Sequence, residues 1–368
     1  HPLPDPSHLK ICLPCAEISP LVETGGLADV TANLADYYIR SGHDCRVLTP
    51  LQGNIDLGAL EIEEVPGLQD LELQLGGRSF SYSILRTQLP DKGTVVYLLS
   101  CPPLYEVEEL YAGPDEHLRF ILLSRAAIEM CQRMQFAPDI FHCHDWHTAL
   151  LPVYLKTRYA WDQLFAGSRS VLTIHNIGFQ GAFGGGILYE MGLSGSPEML
   201  DADDLACDRV NFLKTGIMHA DLLTTVSPTY AREILDAEFG MGLEGFLQGR
   251  RESLVGILNG ADYDEWNPAN DPLISENYSA GRMDGKERNK QALLEELGLA
   301  YQFDRPLIGM VTELTYQAGI ELIQQVLPEL LKSRPLALAV MGHGEARHER
   351  FFAWLRTQFP VRVCSTRD

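Results

Sequence analysis

Four short segments of this sequence gather residue types that could bind a ligand and react with it. They are residues 23–29, 141–147, 173–181 and 224–231. The first contains Gly25-Gly26, the second holds three histidines and Asp145, and the third holds His175 and Asn176. Glycine turns let backbone amides approach an anion, while imidazole and carboxylate groups exchange protons or hydrogen-bond neutral hydroxyls. Together these residue types indicate a polar ligand-binding cleft.

Two of these segments also fit ordinary structural roles. Gly25-Gly26 lies between a predicted strand and a predicted helix, where it is equally compatible with a tight turn and an anion-binding helix N-terminus. Ser227 directly precedes Pro228, a pair typical of a helix N-cap and first helical turn. From the residues alone, the first segment keeps both interpretations and the last favours a structural one.

Two further patterns could be mistaken for metal or redox sites. His142 and His144 alternate on a predicted strand and therefore point the same way, whereas His147 lies beyond a turn, so a polar cleft lining is favoured over a metal site. Cys12 and Cys15 match C-x-x-C, but they fall in a strand pattern rather than at a helix N-terminus. We therefore expect reduced, buried thiols and no metal ion or other cofactor.

Short apolar runs alternate with helical patterns along most of the chain. Strands are predicted at residues 9–15, 44–49, 94–99, 139–142, 170–174, 222–226, 254–257, 307–311, 336–341 and 361–364. Helices are predicted at residues 27–41, 117–135, 286–298, 317–332 and 345–358. This alternation predicts an α/β fold with mainly parallel sheets.

The strand and helix pattern breaks once, in a stretch rich in Asn, Asp and Pro, and this suggests two domains. We expect a Rossmann-like domain at residues 1–265, a connector at 266–305, and the first half of a second Rossmann-like domain at 306–368. The two doubly wound domains would face a cleft, with ligands at the carboxyl ends of the strands. The second domain is expected to be incomplete. Omission of its remainder from the sequence is the favoured reason, and the alternatives are a protein partner that completes the sheet and self-association through the open sheet edge.

Composition limits the partners that the chain could bind. The 368 residues carry a formal net charge of −21, which disfavours nucleic-acid phosphates and anionic lipid but not a neutral polysaccharide. No apolar run is long enough to predict a membrane span, and the first residues do not read as a secretory signal. Scattered cysteines in apolar runs predict a cytoplasmic location, or the plastid stroma if the source is a plant or alga.

Six ordered motifs resemble the bacterial glycogen synthase and plant starch synthase family. That family reads K-T-G-G-L-A-D-V, H-x-H-D-W-H, T-x-H-N-x-x-x-Q-G, V-S-P-x-Y-A-x-E-I, Y-G-x-G-L-E-G and G-I-L-N-G-x-D-x-x-x-W-N-P. The corresponding segments here are residues 23–30, 142–147, 173–181, 226–234, 239–245 and 256–268. The resemblance implies a GT-B fold of two Rossmann-like domains. It also implies metal-independent, retaining transfer of glucose from ADP-glucose, or sometimes UDP-glucose, to an α-1,4-glucan or malto-oligosaccharide.

The resemblance also implies roles for individual residues. His175 and Asp145 would be catalytic, and the backbone of Gly25 and Gly26 would face the donor diphosphate. The remaining residues implied to line the glucosyl and acceptor side are Asp29, His147, Asn176, Gln180 and Glu244.

Three positions depart from the family pattern where it places donor-binding cations. Glu23 replaces the Lys of K-T-G-G, while Glu313 and Ala318 replace the Arg and Lys of S-R-L-x-x-Q-K-G. Because cations stabilise a departing diphosphate, we expect impaired catalysis and weakened ADP-glucose binding. Two alternatives stay open: a working transferase or one part of a split synthase. In a working transferase, other residues would hold the donor, with Lys214, Arg232 and His343 as candidates.

Overall fold

A computed structural model describes residues 7–56, 58, 60–90, 93–107 and 111–366 of this chain. The chain forms two compact units that meet in sequence between Gly260 and Ala261. The predicted connector at 266–305 belongs to the second unit, where one of its helices packs into an apolar cluster.

The first unit contains one large sheet and a small two-stranded sheet. Its strands are β1 Lys10–Pro14, β2 Asp44–Pro50, β3 Glu63–Glu64, β4 Leu71–Leu75, β5 Arg78–Gln88, β6 Val95–Ser100, β7 Ile140–His144, β8 Arg169–Ile174, β9 Ala182–Gly184, β10 Arg209–Asn211, β11 Leu222–Thr225 and β12 Leu254–Gly256. The large sheet runs β12-β11-β8-β7-β1-β2-β6-β5-β3, and β4 pairs with β5. All seven strands from β12 to β6 are parallel, as predicted, whereas β5 is antiparallel to β6.

Helices connect these strands and cover the large sheet. They are α1 Gly26–Arg40, α2 Pro102–Tyr105, α3 Glu116–Arg133, α4 Asp145–Thr148, α5 Leu151–Lys156, α6 Ala202–Ala206, α7 Phe212–His219, α8 Tyr230–Glu233 and α9 Glu244–Gly249. The two long helices, α1 and α3, start and end within two residues of the predicted positions.

Two apolar clusters lie on opposite faces of the large sheet. Ile11 and Leu13 of β1 join the cluster that contains Ala32 and Ala35 of α1. Cys12, which alternates with them, joins the larger cluster that contains most of α3. Period-two alternation in a strand buried on both faces therefore produces the doubly wound arrangement that the sequence predicted.

The strand order changes direction between β1 and β7. From β1 the chain adds β2 and β6 on one side, and from β7 it adds β8, β11 and β12 on the other. In parallel α/β sheets, loops diverge at such a switch point and leave a crevice at the carboxyl ends of the strands. Three of the four segments in which the sequence placed candidate residues follow β1, β7 and β8, and the fourth follows β11.

The second unit is a smaller α/β layer. Its elements are α10 Asp284–Glu296, β13 Leu307–Val311, α11 Ile320–Ser333, β14 Ala337–Met341, α12 Ala346–Gln358 and β15 Val363–Thr366. The three strands are parallel in the order β13-β14-β15. One apolar cluster joins α11 and α12 to the sheet, and another joins Leu294 and Leu299 to Ala337.

Two sequence expectations can be compared directly with the fold. Cys12 and Cys15 lie buried in and directly after β1, so the strand interpretation of that C-x-x-C pattern is confirmed. Among the described residues, no helix combines the length and the apolar character that crossing a membrane requires.

Candidate functional site

The loop between β1 and α1 is held by a buried carboxylate. Glu17 is only 3% exposed, and its oxygens accept hydrogen bonds from the backbone nitrogen and the hydroxyl of Thr24, both at 2.7 Å. The hydroxyl of Tyr111 donates to the same carboxylate. The backbone N–H of Thr24, directly before the two glycines, is therefore already hydrogen-bonded to the Glu17 carboxylate.

The rest of this loop is open to solvent. Gly25 and Gly26 are exposed, and a Cβ atom added at either would meet no atom of the described residues within 4 Å. Within the same part of the chain, no side chain caps the amino end of α1. Glu23 is exposed and accepts a 2.5 Å hydrogen bond from the hydroxyl of Ser19. The backbone at the start of α1 is therefore accessible to a ligand, with a carboxylate beside it.

A chain of hydrogen bonds runs beneath the ends of β7, β8 and β11. The rings of His142 and His144 stack with centroids 4.4 Å apart, which confirms that they point the same way. His142 bonds the hydroxyl of Thr173 at 2.7 Å, and that hydroxyl bonds Thr224 at 2.7 Å. Nδ1 of His144 lies 2.9 Å from Nε2 of His175. His144 thus contacts the imidazole of His175 directly, while Thr173 and Thr224 hold His142, whose ring stacks on that of His144.

Asp145 fixes the backbone of the turn that carries His175. Its Oδ1 accepts the N–H of His175 at 2.7 Å and the N–H of Asn176 at 3.4 Å. Asp145 itself has a φ of 48°, a left-handed conformation that is unfavourable for a residue with a side chain. The predicted pair Asp145 and His175 therefore meets in space, but the carboxylate contacts the backbone of His175 and not its ring.

Burial determines the charge of these groups. It lowers the pKa of His175 to about 4, of His142 to about 4 and of His147 to about 3. It raises the pKa of Asp145 to about 7, against the opposing effect of the two backbone N–H groups. At neutral pH the imidazole of His175 is uncharged, so it can hydrogen-bond a neutral hydroxyl as a donor or an acceptor.

His147 lies in an aromatic cluster rather than in the hydrogen-bond chain. Its ring centroid is 4.4 Å from Trp146, 4.9 Å from Phe120 and 5.0 Å from Tyr111. Its Nδ1 atom is buried and finds no hydrogen-bond partner within the described part of the chain. The described residues also contain no group of three or more His, Cys, Asp or Glu side chains arranged to hold a metal ion.

Gln180 connects the turn after β8 to two other segments. Its amide nitrogen donates to the carbonyl oxygens of Ile177 at 3.2 Å and Met241 at 3.0 Å, while its Oε1 accepts from Asn211 at 2.6 Å. Met241 lies three residues before Glu244, the first residue of α9. The two predicted wall residues, Gln180 and Glu244, are therefore linked through one loop.

Two predicted residues remain outside the network around His175. Asp29 is exposed in the first turn of α1, and among the described residues no hydrogen bond or ion pair joins it to the histidines. Glu244 is half-buried, and its Oε2 atom finds no partner in the described ranges. The structure thus brings Asp145, His175, Asn176 and Gln180 together most directly.

The donor-side positions of the second unit lie in the loop after β13. Glu313 and Ala318 are both exposed. The backbone nitrogen of Tyr316, which lies between them, donates to Glu345 at 3.1 Å. Glu345 and Glu321 both pair with Arg347 at 2.7 Å. The nearest cation in this network is therefore already shared by two carboxylates.

The cations considered as substitutes differ in availability. Lys214 lies 3.2 Å from Asp201 and 2.5 Å from Asp204, and its side chain is 12% exposed. Two carboxylates balance its charge, which makes it a poor candidate for donor binding. Arg232 and His343 are exposed, on α8 and in the loop after β14 respectively.

Sequence reasoning missed three residues that hold this site. Glu17 holds the glycine loop, and the hydroxyl of Tyr111 donates to Glu17. The hydroxyl oxygen of Tyr230 accepts the N–H of Ile177 at 3.1 Å. Only Tyr230 carried a signal, because it belongs to the quoted V-S-P-x-Y motif. Ser227 of that motif accepts the N–H groups of Thr229 and Tyr230, much as an N-cap does, but the tyrosine has a second role.

Comparison with known proteins agrees with this arrangement. The family model named starch synthase catalytic domain matches residues 10–249. Glycogen synthase of Geotalea daltonii is 38% identical over 346 residues, which span 92% of this chain and 70% of that protein. Glycogen synthase 1 of Geobacter sulfurreducens is 38% identical over 364 residues, or 97% of this chain and 72% of that protein.

A solved structure matches the fold. The catalytic domain of starch synthase IV from Arabidopsis thaliana, described as bound to ADP and acarbose, aligns with a TM-score of 0.88 and 31% identity. The alignment covers 98% of this chain and 73% of that one. It confirms the predicted α/β, GT-B-like fold class. With most of the chain matched by the family model and by relatives above 30% identity, this protein belongs to the starch synthase catalytic domain family and is glycogen or starch synthase-like.

Proposed function

We propose that this protein acts in α-glucan metabolism as a synthase homologue in which glucose transfer from ADP-glucose is impaired. The observation that carries the proposal is the identity of three residues, Glu23, Glu313 and Ala318. The family resemblance implies Lys, Arg and Lys at these positions, where they would bind the diphosphate. A location in the cytoplasm, or in the plastid stroma of a plant or alga, belongs to the same proposal.

The surroundings of Glu23 support weak binding of an anionic donor. A diphosphate that approaches the amides of Gly25 and Gly26 meets Glu23 where the family has a cation. Glu17 already accepts the nearby N–H of Thr24. Like charges repel strongly at short range, although solvent reduces the effect for a side chain as exposed as Glu23. Replacing attraction with repulsion should weaken donor binding by more than roughly tenfold, which corresponds to about 1.4 kcal/mol.

The second unit supports the same conclusion independently. The segments 312–319 and 342–345, which follow β13 and β14, contain no Lys or Arg. Arg347 is the nearest cation along the chain, and it is paired with Glu321 and Glu345. Recruiting it to a diphosphate would require breaking both ion pairs. Neither segment therefore supplies a permanently cationic side chain in place of the Arg and Lys that the resemblance implies at Glu313 and Ala318.

The acceptor side is proposed to keep its affinity for neutral sugar. Asp145, His175 and Asn176 retain the family motif and form one hydrogen-bonded turn. Burial keeps the imidazole uncharged, and hydrogen bonds to hydroxyls do not require charge. A net charge of −21 does not oppose a neutral glucan. We therefore expect weak binding of α-1,4-glucan or malto-oligosaccharide at the first unit.

The main alternative is an active ADP-glucose or UDP-glucose transferase. The 38% identity to proteins named glycogen synthase and the intact histidine motif favour it. In this alternative Arg232 or His343 would hold the donor, because Lys214 is engaged by two aspartates. The two proposals differ in a quantity that is simple to measure, namely the rate of glucose incorporation.

The test is transfer of radiolabelled glucose from ADP-glucose to glycogen by the purified chain, with ADP-glucose affinity measured by calorimetry. We expect no measurable elongation and weak donor binding. The triple variant Glu23→Lys, Glu313→Arg, Ala318→Lys should bind ADP-glucose at least roughly tenfold more tightly, because it restores three attractive charges. Elongation by the unmodified chain at an ordinary turnover rate would reject impairment and support the active alternative.

A matched control distinguishes the effect of charge at the three substituted positions from the effect of the chain's net charge. The triple variant Glu72→Lys, Glu252→Arg, Ala269→Lys makes the same change in net charge at exposed positions outside segments 23–26 and 312–319. It should leave ADP-glucose affinity nearly unchanged. Equal gains in ADP-glucose affinity in both triple variants would mean that the net charge of the chain limits binding, rather than the charges at positions 23, 313 and 318.

A further inference from the structure

The turn that carries His175 has three consecutive backbone N–H groups held by side chains from elsewhere. Asp145 accepts the N–H groups of His175 and Asn176 at 2.7 and 3.4 Å. The hydroxyl oxygen of Tyr230 accepts the next one, from Ile177, at 3.1 Å. Tyr230 is 53 residues away in sequence, so this contact joins two of the family motifs across the end of the sheet.

The ring of Tyr230 is held firmly where this contact forms. Tyr230 is the first residue of α8, and its own N–H donates to the hydroxyl of Ser227 at 3.2 Å. Its half-buried ring packs against the larger apolar cluster of the first unit. Burial raises the pKa of Tyr230, and the nearby charge of Asp145 adds to this, so the phenol keeps its proton at neutral pH.

The hydrogen-bond capacity of this hydroxyl is only partly used. A phenol has one proton to donate and can accept through its oxygen. The oxygen of Tyr230 accepts from Ile177, yet no acceptor for its proton lies within hydrogen-bond distance among the residues that the structure describes. A half-buried donor in this position can bond a ligand oxygen without breaking an existing contact.

We propose that Tyr230 is a further sugar-binding residue, whose oxygen holds the turn of His175 and whose proton is donated to a hydroxyl of a bound glucosyl unit. The proposal rests on the glucan binding proposed above and adds a sugar contact by a residue that holds the same turn as Asp145. It accounts for a tyrosine at this position, since phenylalanine would fill the same space but could neither hold Ile177 nor donate. The role goes beyond the N-cap that Ser227 provides.

The experiment compares Tyr230→Phe with the unmodified chain in two measurements. Titration calorimetry with maltoheptaose measures sugar affinity, and hydrogen exchange measures protection of the Ile177 amide. We expect affinity to fall roughly three- to tenfold, as for the loss of one hydrogen bond, and exchange at Ile177 to accelerate. Tyr37→Phe is the matched control, because that tyrosine is 65% exposed on α1, and it should change neither quantity.

A third variant distinguishes sugar contact from support of α8. Ser227→Ala removes the hydroxyl that holds the first residues of this helix but keeps the phenol. An equal loss of maltoheptaose affinity in Ser227→Ala and Tyr230→Phe would reduce Tyr230 to a structural role and overturn the sugar contact. Unchanged affinity in Tyr230→Phe would do the same.

Failure of the proposed function gives a different result. If the unmodified chain does not bind maltoheptaose, glucan binding is rejected and the sugar contact is rejected with it. Exchange at Ile177 then still decides the positioning role. Faster exchange confined to residues 175–181 in Tyr230→Phe would support that role, and unchanged exchange would reject it.

Discussion

Asp145 accepts the backbone N–H of His175 at 2.7 Å, so the carboxylate at the end of β7 fixes the turn at the end of β8. The two residues are 30 positions apart in sequence and belong to different motifs. The bond explains why Asp145 keeps a φ of 48° in a buried position. It orients the backbone of His175, while His144 contacts the ring.

The first prediction concerns the pH dependence that Asp145 confers on stability. Burial raises its pKa from 3.8 to about 7, so between these values the folded state holds a proton that the unfolded state has released. Its contribution to the free energy of unfolding therefore falls as pH rises through this window, by up to roughly 4 kcal/mol. Asp145→Asn lacks this contribution. Denaturant unfolding of the unmodified chain and of Asp145→Asn from pH 4.5 to 8 measures this contribution. If the free energy of unfolding changed with pH in the same way for both proteins, the raised pKa of Asp145 would be contradicted.

The second prediction concerns His175 and malto-oligosaccharide binding. His175→Ala should weaken maltoheptaose binding roughly tenfold, because a partly buried hydrogen-bonding group is lost. Because burial lowers the pKa of His175 to about 4 but raises that of Asp145 to about 7, the pH prediction applies to an Asp145→Asn variant, whose affinity should stay constant between pH 6 and 8. Calorimetry across this range tests both statements, with the exposed His8→Ala as control. An affinity that titrates near pH 6.5 would indicate a solvated imidazole instead.

The third prediction concerns the turn after His175. Gly181 has a φ of 60°, and an added Cβ atom would lie 2.3 Å from Cε3 of Trp146. Gly181→Ala should destabilise the protein by more than about 2 kcal/mol through backbone strain and overlap with the ring. Gly184→Ala is the control, since its φ is −66° and no atom of the residues that the structure describes lies within 4 Å of the added Cβ. Similar denaturation midpoints for the two variants would show that Trp146 can move aside.

The fourth prediction concerns Lys214. Lys214→Met leaves Asp201 and the buried Asp204 without their shared ammonium, which should lower the free energy of unfolding by roughly 3 kcal/mol. Its affinity for ADP-glucose, measured well below the unfolding temperature, should stay the same. Lys332→Met, which removes an exposed pair with Glu329, should change stability little. A stable Lys214→Met variant that no longer binds ADP-glucose would show that Lys214 contributes to donor binding.

Much of the fold was predictable because it depends on local patterns. Strand β13 was predicted at its exact bounds, and α1 and β2 within one residue, since buried strands and amphipathic helices have distinct periods. The antiparallel region of β3, β4 and β5 was not predicted. β4 and much of β5 alternate buried with more exposed residues, while both residues of β3 are exposed, and such strands give a weaker sequence signal than strands buried on both faces.

The candidate site was predictable in part, for a related reason. Motifs located Asp145, His175, Asn176 and Gln180, which the structure joins within one turn and its contacts. Sequence did not reveal Glu17 or Tyr111, because a single buried carboxylate and a single tyrosine have no local signature. The second role of Tyr230 was hidden by the N-cap pattern in front of it.

By itself, the sequence determined the family, the alternation of strands and helices, and the reversed charge at Glu23 and Glu313. These features follow from residue types and from the apolar periods of two residues in strands and 3.6 residues in helices. Both periods are visible within a short segment of the sequence. The tertiary structure decided which strand ends adjoin and therefore which side chains meet. His144 reaches His175, and Tyr230 reaches Ile177, only because β7, β8 and β11 are adjacent in the sheet. That order depends on packing over the whole unit, which no local segment encodes.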